Sequence, residues 1–205
     1  MAKPGELAEL IARMFRLEEA TVRQQARELR DHGLMSKERA GRGAGSMSAK
    51  DAAHLLTAAA ITTSVKKSVE CVHMYQACRA SDWHGFRKTW GLAFFPSTEL
   101  NRLPEDHSII DAIEAVLVAF SVGDWADKHD AFERSPAEPG KLLMNFNLSG
   151  PVVSATSGIG ILRPDSRDDR EKHYYGDPNE KQIDYSFHAG FSHLTLIEIA
   201  NLLRT

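Results

Sequence analysis

Leu17-Glu-Glu-Ala-Thr-Val-Arg-Gln-Gln-Ala-Arg-Glu-Leu-Arg-Asp-His-Gly-Leu-Met35, followed at once by Ser36-Lys-Glu-Arg-Ala-Gly-Arg-Gly-Ala-Gly-Ser46, is the stretch that decides the reading of this chain. Val22, Ala26 and Leu29 recur at i, i+4 and i+7, the spacing of one helical face, and Gly33 is the residue that most easily takes the left-handed conformation ending a helix. The spacing predicts a helix of about four turns. At 100° per residue the opposite face carries Ala20, Gln24, Arg27 and Asp31, with Arg23 and Arg30 on its flank. Glutamine and arginine form paired hydrogen bonds to base edges, and arginine also pairs with phosphate.

Working outward, Leu7, Leu10, Ile11 and Met14 form an i, i+3, i+4, i+7 set after Pro4-Gly5 and predict a preceding helix over Glu6 to Phe15, with a turn at Arg16 to Glu19. On the other side, Lys37, Arg39 and Arg42 sit among three glycines, a composition that suits either a DNA-contacting wing or a flexible linker. Thr21-Val22-Arg23, Ala26, Leu29, Gly33-Leu34 and Gly41-Arg42-Gly43 together resemble the recognition helix and wing of bacterial winged helix-turn-helix regulators, the GntR-type class among them. The whole chain is also similar to helix-turn-helix proteins of bacterial prophage regions, through the Gly-Arg-Gly loop followed by Asp51-Ala52-Ala53 and a Leu-Leu pair. The resemblance covers about a quarter of the chain. It implies double-stranded DNA as partner, with Thr21, Arg23, Gln24, Arg27 and Arg30 on the helix and Lys37, Arg39 and Arg42 in the loop as contact residues. An ordinary antiparallel helical hairpin is the plain alternative.

The charge is divided in a way that suits this. Residues 1–50 hold ten Lys or Arg against seven Asp or Glu, whereas residues 51–205 hold fifteen against twenty-one, so a basic head precedes an acidic body and the formal net charge is -3. Attraction to phosphate is confined to the head. With 205 residues, 42% of them hydrophobic and 26% charged, the chain suits one moderate domain or a small domain joined to a larger one. No apolar run approaches the roughly 18 residues that span a bilayer, and the polar start lacks a signal-peptide core, so a cytoplasmic protein without membrane attachment is expected. Cys71 and Cys78 would lie about 10 Å apart along a helix, too far for a disulfide within it, and read as core thiols.

Further along, Ser48 to Asp51 resembles a capping box that opens a helix through Ala52, Ala53, Leu55, Leu56 and Ala59. A second helix is expected to use Val65, Val69, Val72 and Tyr75 or Gln76, and a third, starting at Ser108, uses Ile109, Ile113, Val116 and Phe120. The aromatic stretch Ser81 to His107 reads as a long connection packed on the body. From Leu142 the period changes: Leu142 to Leu148, Val152 to Leu162 and Gln182 to His188 read as strands, Arg163 to Gln182 as a long exposed hairpin loop, and Leu194 to Leu203 as a closing helix. The expected class is therefore α+β: a winged helix-turn-helix head over residues 1–60, then a mainly helical body over 61–205 with a small antiparallel sheet.

Enzyme signatures are missing from the sequence. Asp124, Asp127, His129 and Asp130 cluster, and His188 and His193 bracket a turn, but no His-Glu-x-x-His or Cys-x-x-Cys pattern occurs. Gly158-Ile159-Gly160 lacks the third glycine of a dinucleotide fingerprint, and no Gly-x-Ser-x-Gly elbow is present. No catalytic residue, metal or cofactor is expected. The expectation is a sequence-specific DNA-binding regulator of phage or prophage type, a homodimer whose body meets a protein partner or small effector; the helices at Ser108–Phe120 and Leu194–Leu203 are the available interfaces, and a core role for both within one subunit is the equal alternative. A phage assembly or DNA-packaging component, and a protein-interaction module without DNA binding, are the alternatives.

Overall fold

Helix α1 (Pro4–Phe15) begins with proline at its first position, where the missing N–H costs nothing, and the Lys3 backbone N–H is held by the Glu6 carboxylate at 2.8 Å. The computed structural model describes residues 2–36, 46–80, 99, 102–122, 141–150, 154–162, 169–175 and 187–204. Leu7, Leu10 and Ile11 turn inward, as their spacing requires. The helix ends where Leu17 N–H reaches back to the Ala12 carbonyl at 2.9 Å, with Arg16 in the left-handed conformation at φ 54°. Helix α2 (Glu19–Asp31) ends on the same pattern: Leu34 N–H bonds the Leu29 carbonyl, Gly33 N–H bonds the Arg30 carbonyl, and Gly33 sits at φ 75°. Both ends use the hydrogen-bonded turn that glycine favours, but only α2 has glycine in it.

Helix α3 (Ala49–Ile61) is capped as expected. The Ser48 hydroxyl accepts from Asp51 N–H at 3.1 Å and the Asp51 carboxylate accepts from Ser48 N–H at 2.9 Å. Every residue from Asp51 to Ala59 is buried, because α1 and α2 pack on one side of α3 and later helices on the other. The expected division at residue 60 falls in the last turn of this helix, and one apolar core runs across it from Leu7 to Ala200. A 3-10 turn at Val65–Lys67 leads into α4 (Ser68–Ala77), so the expected second helix starts later than its apolar spacing suggested. Val72 and Tyr75 are buried there, Val69 only partly. Cys78 is buried but Cys71 is half-exposed, which corrects the expectation of two core thiols; neither forms a disulfide.

Helix α5 (Ile109–Ser121) has a second capping box, Ser108 with Asp111. Nine of its thirteen residues are buried against α3, α4 and the last helix within the same chain. Of the two roles weighed for this helix, its packing is that of a core helix within one subunit.

Among the described residues beyond 140, four strands pair antiparallel in the order β3-β2-β1-β4: β1 (Lys141–Gly150), β2 (Ser154–Leu162), β3 (Asp169–Tyr175) and β4 (Phe187–Ser192). In this register Leu148 lies between Ala155 and Ala189, and Phe146 between Ser157 and Phe191. Leu148 and Phe191 enter the core, and the Phe191 ring meets Phe15 edge to face at 6.4 Å. Strand β3 replaces part of the expected hairpin loop. Its charged residues belong to a strand because backbone pairing with β2 requires no apolar side chain at the sheet edge. The strand expected over Gln182 to His188 is met only at its end, since β4 runs on to Ser192 and residues 182–186 lie outside the described residues.

Helix α6 (His193–Arg204) closes the chain with Leu196, Ile199 and Ala200 buried. The Arg204 guanidinium donates to the Phe120 and Ser121 carbonyls and so satisfies the C-terminal end of α5. The described molecule is mainly helical. The wing expectation falls on Lys37–Gly45, outside the described residues; among those described, no strand stands next to α2, and the chain re-enters at Ser46 and goes directly into α3. No helix among the described residues is long and apolar enough to cross a membrane.

Candidate nucleic-acid interface

Helix α2 buries Val22, Gln25, Ala26 and Leu29 and turns Ala20, Arg23, Gln24, Arg27 and Asp31 outward, with Thr21 and Arg30 half-buried. All five helix positions expected to contact a ligand thus lie on one continuous side of α2. Glu19 in its first turn and Arg30 in its last complement the helix dipole. The Glu19 carboxylate also pairs with Arg23 Nε one turn on, which holds that guanidinium in place.

Arg23, Arg27 and Arg30 do more than share a face. With Ala26 they form one wall of a cleft of about 220 Å3 whose other wall is Pro4 and Gly5, the first turn of α1. Gly5 lies close to the Arg23 guanidinium: a Cβ there would stand 3.2 Å from Arg23 Nη1, so a side chain would require the arginine tip to give by a few tenths of an ångström. Gln24 does not line this cleft. No signal in the sequence joined Pro4-Gly5 to the arginines, which are about twenty residues away.

Gln25 was invisible to a reading that sorted α2 into apolar and polar positions. It is fully buried, its amide nitrogen donates to the Thr62 carbonyl at 2.6 Å just past α3, and its Oε1 has no hydrogen-bond partner among the described residues. A polar group in that position fastens α2 to the end of α3 at the cost of a desolvated acceptor.

Lys37, Arg39 and Arg42 lie outside the described residues, but both flanks of their segment are anchored. The Asp51 carboxylate accepts from Ser36 N–H at 2.7 Å as well as from the backbone and hydroxyl of Ser48, and Met47 N–H bonds the Ala2 carbonyl. The chain therefore leaves and returns at one buried carboxylate at the start of α3. Nearby, His54 is buried with Nδ1 donating to the Leu34 carbonyl and Nε2 accepting from Gln76 at 3.0 Å, a bridge between the turn after α2 and helix α4. Burial holds the His54 pKa below its usual value, and the same cause acts on His107, whose Nδ1 bonds the Pro104 carbonyl.

The acidic cluster at Asp124 to Asp130 lies outside the described residues, and no group of three or more His, Cys, Asp or Glu among the described residues is placed to hold a metal. What the described site offers is a helical hairpin whose outer side brings together three arginines and the Gln24 amide, with Glu19 and Asp31 at its two ends. Comparison with family models, with curated proteins and with solved structures found no match to this chain.

Proposed function

We propose that the protein is a sequence-specific DNA-binding protein of the helix-turn-helix type, a transcription regulator of phage or prophage kind acting in the cytoplasm. Helix α2 is the recognition helix and α1 its support. The observation that carries this reading is the outer side of α2, where Arg23, Gln24, Arg27 and Arg30 share a surface while Val22, Gln25, Ala26 and Leu29 lock the helix to α1 and α3. An α-helix fits the major groove, and these side chain types read base edges and phosphates. Lys37, Arg39 and Arg42, whose segment is flanked by Ser36 and Ser48 at the Asp51 carboxylate, add cationic contacts to the DNA backbone. The protein works as a homodimer that places two heads on a palindromic site; α6, with Leu194 exposed, is the surface left for pairing.

The test is selection of bound duplexes from a random pool by the full-length protein, together with footprinting of DNA flanking its own coding sequence. A recurrent motif, protected upstream of the gene and bound with an affinity that falls steeply with salt, is the expected result. Recovery of no motif with uniform binding to all duplexes would favour an assembly or packaging component. Absence of binding to any duplex at low salt would leave a protein-interaction module.

A further inference from the structure

We infer that the cleft between α1 and α2 is a seat for a single phosphate group, so that Arg23, Arg27 and Arg30 hold the ligand's phosphate and Gln24 is left to meet the bases. This assignment rests on the DNA-binding reading for the source of the phosphate, and it changes the role of Arg27, which its outward position alone would make a base reader.

Three observations and the chemistry of the guanidinium converge. Arg23, Arg27 and Arg30 follow at i, i+4 and i+7 and line one wall of the cleft together, which converts three separate charges into one concave cationic surface. A guanidinium is a planar fork whose N–H pairs match phosphate oxygens, and several forks around one phosphate add charge-assisted bonds. Arg23 is preset: its Nε is committed to Glu19 while Nη1 and Nη2 lie against Gly5, within reach of whatever occupies the cleft. Finally, none of the described residues that line the cleft carries a carboxylate. The acidic residues of α1, Glu6 and Glu9, open instead onto a separate groove with Arg13 and Glu198. Helix α1 thus presents its acids on one side and bare backbone on the side that faces the arginines.

A phosphodiester of duplex DNA and a free phosphate share the chemistry that this cleft recognises, and the experiment separates them. Full-length protein is titrated with inorganic phosphate at constant ionic strength, following the Gly5 and Arg23 amide signals by NMR, and separately with the selected duplex and a scrambled duplex across a range of salt. Expected are saturable phosphate-induced shifts at Gly5 that disappear in Arg27→Gln and Arg30→Gln. On DNA, each of these variants loses on the order of tenfold affinity for both duplexes alike, and the salt slope falls by about one. Gly5→Ala should weaken both phosphate and DNA binding through displacement of Arg23, and Gln24→Ala should narrow the gap between the duplexes while phosphate binding is unchanged.

The inference is overturned if Arg27→Gln erases the preference between duplexes but leaves affinity for the scrambled one intact, or if phosphate shifts persist in both arginine variants. Phosphate binding in the cleft with no duplex bound at any salt would remove the DNA reading and keep the seat, its source then being a free phosphate ligand. Duplex binding that all three cleft variants leave untouched would do the reverse. Thermal unfolding of each variant guards against loss of fold, which Gln at exposed or half-buried surface positions is not expected to cause.

Discussion

Helices α2 and α5 are the same length, thirteen residues, yet they are built for opposite purposes. Helix α5 opens with a reciprocal Ser108–Asp111 capping box, buries nine residues and has its last carbonyls satisfied by Arg204. Helix α2 starts at Glu18 with no side-chain cap, buries four residues and devotes the rest of its surface to arginine, glutamine and acid. One helix is enclosed by the chain, and the other keeps most of its surface exposed. In a fold with one continuous core, stability is concentrated in α3 and α5, and α2 is free to carry charge because its neighbours supply the packing.

The largest break in this comparison is expected from the core of α5. Phe120→Ala should lower the free energy of unfolding by about 3–5 kcal/mol, since a fully buried ring leaves a cavity that its neighbours fill only in part. Denaturant titration of the full chain reads this, and a loss under 1 kcal/mol would show that the helix is not packed as described.

Acid should act next. His54 and His107 have folded pKa values depressed by burial, below the ordinary 6.5 they regain on unfolding. Below pH 6.5 the unfolded chain binds more protons than the folded one, so stability is full above that pH and declines as pH drops, by at most about 1.4 kcal/mol per pH unit for each histidine. His54→Gln should flatten the dependence of the unfolding midpoint between pH 5 and 7; an unchanged slope would refute the link to His54. Glu114 has the opposite sign: burial raises its carboxyl pKa, so it weakens the fold as pH rises above 4.5. Glu114→Gln should accordingly stabilise at neutral pH, which thermal melting at pH 7 checks.

Capping gives a smaller contrast. Ser108→Ala should cost about 1 kcal/mol by freeing the Asp111 N–H, while Glu18→Ser, which installs a cap on α2, should add up to about 1 kcal/mol. Equal responses of the two helices in denaturant midpoint would contradict the difference drawn between them. Arg16→Gly, at the left-handed turn joining α1 to α2, should stabilise by about 1 kcal/mol, because the β-carbon pays a conformational penalty there that glycine avoids. Smallest of all, Arg27→Ala should change stability by less than about 0.5 kcal/mol while binding suffers; a large loss of stability would make Arg27 a structural residue.

Much of the helical framework was legible because it depends on local chemistry. The i, i+4, i+7 spacing of Val22, Ala26 and Leu29 located the buried stripe of α2, Gly33 marked its end, and Ser48 with Asp51 marked the start of α3. Side-chain period and capping act within one or two turns, so a short window of sequence contains all the relevant partners. Gln25 is different. Next to Gln24 and of the same type, it was indistinguishable by chemistry, and only the approach of Thr62 from beyond α3 made one a buried fastener and left the other facing solvent.

By itself, then, the sequence determined where the helices of the head run and which side of α2 carries charge, since both follow from periodicity along one segment. Tertiary structure alone decided that α5 is enclosed within its own chain, that the charged residues of β3 pair with β2, that Asp51 receives Ser36 as well as Ser48, and that Gly5 faces the arginines. Each of these joins residues far apart or unlike in character. Such contacts arise when the whole core closes, and the free energy that selects them is spread over many segments rather than written in any one.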